Sequence, residues 1–282
     1  MIYNKILVRI FPSAFCMINK FFCYRKILLM FSLIIYFSYV VYMRILPIYL
    51  IGLAGVFYCL IYLSYSKHNF ILDETVIIVS LIFYFCLQSH LFPLVNNVLL
   101  AKNILIGKEG VPWNLYVNYD KALMFFIIFF VKYNQSKDYK VNYKYCMMAM
   151  ILGIISIVFL SLKAGFIRYD FKIDPVLWPW GLNNLLMVCV PEEIFFRLFL
   201  YKMFIKINVL NKYSSWLPLF VSSLLFGMFH YAGGIIYVLL AFCAGILYCL
   251  LYVYSGKIQI SILGHFMLNL IHFIFFSYPR AL

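Results

Sequence analysis

The chain of 282 residues is 66% hydrophobic and only 11% charged, against about 25% charged residues in soluble domains. One aqueous core cannot cover that much apolar surface, so the sequence predicts an all-α polytopic transmembrane bundle of about eight to nine helices. The net charge is +14, from 23 Lys and Arg against 9 Asp and Glu. These basic residues lie mostly between apolar runs, which excludes a nucleic-acid-binding surface and fits orientation by the positive-inside rule and contact with anionic lipid.

In chain order, Met1 to Lys26 carries Lys5, Arg9, Lys20, Arg25 and Lys26 with no acid, and no small-residue cleavage site follows. It reads as a basic cytoplasmic leader rather than a signal peptide. Spans of about 20 mostly apolar residues are predicted at 27–43, 45–66, 75–98, 145–162, 180–205, 214–232, 235–254 and 258–278. Gly233-Gly234 divides the uncharged run from Tyr213 to Ser255, which is too long for one crossing. Ala122 to Val131 is a ninth, short candidate. A crossing at 115–131 places 14 of the Lys and Arg residues inside and 8 outside; without it the count is 10 against 12. The positive-inside rule favours the crossing. The expected organisation is a leader at 1–26, N-terminal transmembrane helices at 27–144 and a C-terminal bundle at 145–282 around an intramembrane cavity. The eight cysteines form no CxxC pair and read as small buried residues, not as a disulfide or zinc framework.

Three polar clusters interrupt the apolar runs of the C-terminal half. An ionisable residue at a helix centre costs about 2.5–3.5 kcal/mol to insert, which makes it a functional-site candidate. The first cluster is Glu192-Glu193-Ile-Phe-Phe-Arg197. Glu193 and Arg197 share a helix face and can pair, whereas Glu192 points about 100° away and suits a general base. A purely structural ion pair is the competing reading. The second is Phe226-Gly-Met-Phe-His230, where a packed interfacial histidine is the alternative. The third is His265-Phe-Met-Leu-Asn269, with His272 near the same face. Two donors one turn apart suit an oxyanion, although helix-to-helix hydrogen bonding uses the same residue types. A base, a second polar group and an oxyanion site without a Ser or Cys nucleophile read as water activation for amide or ester hydrolysis.

These motifs, in this order, resemble the CAAX-protease and bacteriocin-processing family of intramembrane proteases, whose pattern is EExxxR, FxxxH and HxxxN. The resemblance spans roughly Trp178 to Phe276. It implies a helical bundle around a water-filled cavity, with Glu192 and His230 activating water, His265 and Asn269 binding the oxyanion, and Glu193 with Arg197 supporting the site. No cofactor is favoured. The metal-dependent alternative, zinc on Glu192, His230 and His265, keeps an open fourth position, but no HExxH motif is present. The expected partners are the lipid bilayer and a membrane-associated protein or peptide substrate, and the expected location is a bacterial cytoplasmic membrane. The competing function is a non-catalytic immunity or scaffold protein on the same fold. A small transporter is disfavoured because the first half lacks paired charges and the chain lacks repeat symmetry.

Overall fold

The computed structural model describes residues 35, 37–66, 70–129, 143–207 and 216–281. The leader 1–26, most of the first predicted span and the basic segment 132–140 lie outside the described residues. In chain order the main elements are α1 (Ile48–Ser66), α2 (Phe70–Gln88), β1 (Val98–Ile104), β2 (Trp113–Val117), α3 (Tyr119–Phe129), α4 (Tyr143–Lys163), a helical run α5 over 177–206, α6 (Leu217–Met228), α7 (Ile235–Ser255) and α8 (Ile258–Phe275). Among the described residues, α1, α2, α4, α7 and α8 are long and apolar enough to cross a membrane. The protein is a helical membrane protein, as the sequence predicts. Helices suit that medium because they satisfy their own backbone polar groups where no water can.

Two expectations are corrected. The span predicted at 75–98 is instead α2, Phe70–Gln88. The apolar signal continues past Gln88, but His90 (φ 53°) and Leu94 (φ 62°) take left-handed backbone conformations, and Pro93 disfavours helix in the residue before it. The crossing predicted at 115–131 is a strand to Val117 followed by α3 of 11 residues. The described residues of α3 extend about 16 Å, against roughly 30 Å of bilayer hydrocarbon. Its start is fixed by polar groups: the Asp120 carboxylate meets His90 Nδ1 at 2.6 Å and accepts from Asn97 Nδ2 at 3.0 Å. Asn97 Oδ1 in turn accepts from the Tyr119 N–H at 2.9 Å.

The antiparallel β1–β2 hairpin is a feature the all-α expectation lacks. It pairs Val98 with Val117 and Ile104 with Trp113, with irregular register between. Ile106 and Leu115 form a small second core with Trp180 of α5 and Phe273 of α8. Asp170 Oδ2 accepts from the Lys108 and Glu109 N–H groups, at 3.1 and 3.3 Å, fastening the hairpin turn to the α4–α5 connection. The hairpin therefore closes the end of the bundle where α5 begins and α8 ends.

The main core runs between α5 and its neighbours. Tyr84 of α2 stacks on Phe195 at 3.9 Å and meets Phe196 and Phe229 edge-on. At the other end of α5, Lys206 Nζ donates to Asp73 Oδ1 at 2.8 Å and to the Ser64 carbonyl at 2.6 Å, tying α5 to α1 and α2. α6 and α7 approach closely because glycines face the contact, as small residues do in membrane helix pairs. A Cβ on Gly227 would fall 2.7 Å from the Val238 carbonyl oxygen and 2.9 Å from Phe242 Cβ. Gly227→Ala should therefore destabilise the bundle by about 1–3 kcal/mol, the scale of overpacking. Thermal unfolding in detergent checks this, and an unchanged melting temperature would contradict the close approach.

Candidate active site

The site is built on α5, which alternates α-helical segments (Leu177–Asn183, Val190–Glu193, Lys202–Lys206) with π-helical ones (Asn184–Cys189, Ile194–Tyr201). Pro191 gives the first wide segment a cause. It has no N–H to donate, and its ring crowds the carbonyl one turn earlier. Wide turns of this kind are frequent at functional sites. The short α-helical segment between the two wide ones carries both Glu192 and Glu193.

Glu193 is wholly buried, as is Arg197. Glu193 Oε2 lies 3.1 Å from Arg197 Nε and accepts from Ser261 Oγ at 2.5 Å, while Oε1 lies 2.9 Å from His265 Nδ1. One carboxylate thus joins its own helix to two residues of α8. Arg197 completes its surroundings from α6 and α7. Its NH2 group donates to the Gly245 carbonyl at 3.1 Å, and its guanidinium carbon lies 4.5 Å from the Phe226 ring centroid. A guanidinium over a desolvated ring gains about 2 kcal/mol or more. The pairing expected between Glu193 and Arg197 is present, and Glu193 carries more than that pairing alone.

Glu192 is different. It is 8% exposed, and its Oε2 is buried with no hydrogen-bond partner. That oxygen lies 4.0 Å from His265 Nε2. His265 therefore stands between the two glutamates, with its ring stacked on Tyr248 at 4.6 Å. His230 is fixed independently. Its Nδ1 lies 2.7 Å from the Phe226 carbonyl, an atom that only accepts, so Nδ1 carries the proton and Nε2 keeps its lone pair. Phe226 also walls the ring, at 4.7 Å between centroids.

His230, His265, Asn269 and His272 line one cavity of about 80 Å³. This space has room for several water molecules, since a cavity of about 10–15 Å³ is enough for one. Glu192 does not itself line the cavity, but its Oε2 lies beside His265, which does. Asn269 is turned partly away: its Nδ2 donates to Asn184 Oδ1 at 3.1 Å, and Cys189 Sγ donates to the same oxygen at 3.3 Å. His272 is committed to the Ser277 carbonyl, 3.0 Å from its Nε2. The six predicted residues thus fall into a connected set, Glu193, Arg197 and His265, with Glu192 beside it and His230 and Asn269 on the cavity wall.

Sequence reasoning missed Ser261, Asn184 and Tyr248. Ser261 carried a usable signal, since it lies one turn before His265 on the same helix face. For Asn184 and Tyr248 no spacing rule links them to the motifs. The alternative zinc set does not fit as placed: among the described residues no three His, Cys, Asp or Glu side chains are grouped to hold a metal ion.

Fold and site together define a polytopic helical membrane protein with a buried carboxylate–histidine centre beside a cavity into whose largely apolar wall His230, His265, Asn269 and His272 are set. The family model described as Type II CAAX prenyl endopeptidase Rce1-like matches residues 174–271. That segment contains all three motifs, and the match bears out the family resemblance read from them. No curated protein and no solved structure matches the chain.

Glu193 and Glu192 should respond differently to neutralisation. Glu193→Gln leaves Arg197 buried without its counter-charge, at a cost of about 3–5 kcal/mol. Glu192→Gln removes a carboxylate that no hydrogen bond holds and should leave the melting temperature near that of the parent. Equal losses in thermal unfolding would contradict this division.

Proposed function

We propose that the protein is an intramembrane endopeptidase that hydrolyses a peptide bond of a membrane-associated substrate with water activated by Glu192 and His230. The observation that carries this reading is the contrast between the two adjacent glutamates. Glu193 is saturated by Arg197, Ser261 and His265, while Glu192 keeps a buried, unpartnered oxygen 4.0 Å from His265. A buried carboxylate left without a hydrogen bond is costly, and general-base chemistry gives it a use.

In the reaction, Glu192 takes a proton from water as the water oxygen attacks the scissile carbonyl carbon. His230 Nε2, held as an acceptor by the Nδ1–H bond to Phe226, orients that water. The carbonyl oxygen becomes an oxyanion and accepts hydrogen bonds from Asn269 Nδ2 and His265 Nε2. For Nε2 to donate while Nδ1 donates to Glu193, the His265 ring carries both protons. Glu193 supports that state by lying 2.9 Å from Nδ1. The C–N bond then breaks, and the proton held by Glu192 passes to the leaving amine. None of these steps requires a metal, and we propose a glutamate-type mechanism.

The surroundings support a substrate class. An apolar groove of about 840 Å³ runs between α4 and α7 and shares Ile157 with the catalytic cavity. A lipid-modified or strongly apolar peptide can lie in the groove while its scissile bond reaches the cavity. The family description supports a prenylated one.

Mapping protein termini in membranes that carry the parent chain or Glu192→Gln tests the reading. At least one new terminus should depend on Glu192, with turnover lowered about 10²-fold or more in the variant, the lower end of general-base losses. Identical termini would leave a non-catalytic scaffold as the better account. Exhaustive chelation of the purified protein should leave turnover unchanged, and one zinc per chain lost together with activity would contradict the glutamate-type mechanism. Asn269→Ala should lower kcat about 10²–10³-fold with little change in KM, because the charge it meets exists only in the transition state.

A further inference from the structure

The first turn of α7 brings a second hydroxyl-bearing ring to the catalytic cavity. Tyr237 lines that cavity with His230, His265 and Asn269. Its ring is held on three sides. It stacks on Phe166 at 5.2 Å with the planes 7° apart, and it meets His230 edge-on at 5.2 Å. Against the Gly233 backbone the fit is so close that a Cβ there would fall 2.1 Å from Tyr237 Cδ1. Gly234, at φ 87°, turns the chain between this contact and α7.

All of that packing uses the ring, and phenylalanine would supply it equally. The hydroxyl is another matter. Tyr278, half-buried like Tyr237, has a protein partner for its phenol, which accepts from Trp180 Nε1 at 2.9 Å. Among the described residues no protein group hydrogen-bonds the Tyr237 hydroxyl, which leaves it free to meet a group entering the cavity that the residue lines. Meanwhile Asn269 Nδ2 donates to Asn184 Oδ1 at 3.1 Å and to Cys189 Sγ at 3.7 Å, which leaves the predicted oxyanion pair with fewer free donors than its residue types suggest.

We propose that Tyr237 is a further catalytic residue, whose phenol O–H donates a hydrogen bond to the scissile carbonyl oxygen as it becomes an oxyanion, beside His265 and Asn269. This rests on the peptidase reading above. The hydroxyl transfers no proton; it is a fixed donor aimed at charge that develops during the reaction, a role that tyrosine fills in other oxyanion sites. It also lies outside the three motifs, on the helix between the second and the third.

Tyr237→Phe removes the hydroxyl and keeps the ring. The test uses an internally quenched peptide that spans the bond whose cleavage terminal mapping assigns to Glu192. Parent, Tyr237→Phe, Asn269→Ala, the double variant and Glu192→Gln are compared in detergent, with melting temperatures from the same preparations. The proposal expects kcat of Tyr237→Phe to fall about 10²-fold, the scale for one oxyanion donor, with KM and melting temperature near parent values. The double variant should lose less than the product of the single losses, because both donors serve one oxygen. Parent-like kcat in Tyr237→Phe, with or without a raised KM, overturns the proposal when Glu192→Gln is inactive. Turnover retained by Glu192→Gln overturns the peptidase reading instead.

Discussion

The structure depends on one fully buried carboxylate. Glu193 meets Arg197 on its own helix and Ser261 and His265 on α8, and Arg197 carries the connection onward to Gly245 on α7 and the Phe226 ring on α6. Charges in such a medium are expensive to desolvate, and a buried pair that loses one partner is worse than no pair at all. Four helices are therefore held in register by groups that cannot relax independently. The same arrangement sets the histidine between the glutamates. With Nδ1 committed to Glu193, His265 presents only Nε2 toward Glu192 and the cavity.

The local backbone serves this geometry. Pro191 interrupts the helical ladder just before the paired glutamates, and π-helical segments stand on both sides of them. The short helix α3 and helix α2 press on α5 from the N-terminal part of the chain, through the Tyr84 stack on Phe195 and the core around Leu123 and Met124. The hairpin closes one end through Trp180 and Phe273. Residues well outside the family-matched segment thus shape the surroundings of the site.

The fold class and the three motifs were legible because each rests on local rules: apolar length for spans, and a four-residue spacing for shared helix faces. That spacing put Glu193 with Arg197 and told the two glutamates apart. The hairpin was not legible. Its strands, VLLAKNI and WNLYV, are short apolar stretches that composition alone cannot separate from a span end, and what makes them strands is pairing across an eight-residue gap. The limit of α2 was hidden because Leu91, Pro93 and Leu94 extend the hydrophobic signal beyond the point where the backbone turns. Asn184 and Tyr248 escaped for a different reason: their roles arise only from tertiary contact with α8, and no periodicity encodes that.

The central claim is that Glu192 delivers water and does not itself attack the substrate. A carboxylate or the nearby Cys189 thiol acting as nucleophile would pass through an acyl-enzyme that hydroxylamine traps, and hydrolysis of a glutamyl anhydride can also place solvent oxygen in the protein. Single-turnover cleavage in ¹⁸O-enriched water, with hydroxylamine present, reads this directly by mass spectrometry of product and protein. The account predicts one ¹⁸O atom in the newly formed carboxyl terminus, none in the segment that contains Glu192, and no hydroxamate. Label in that segment, or a hydroxamate product, would contradict it.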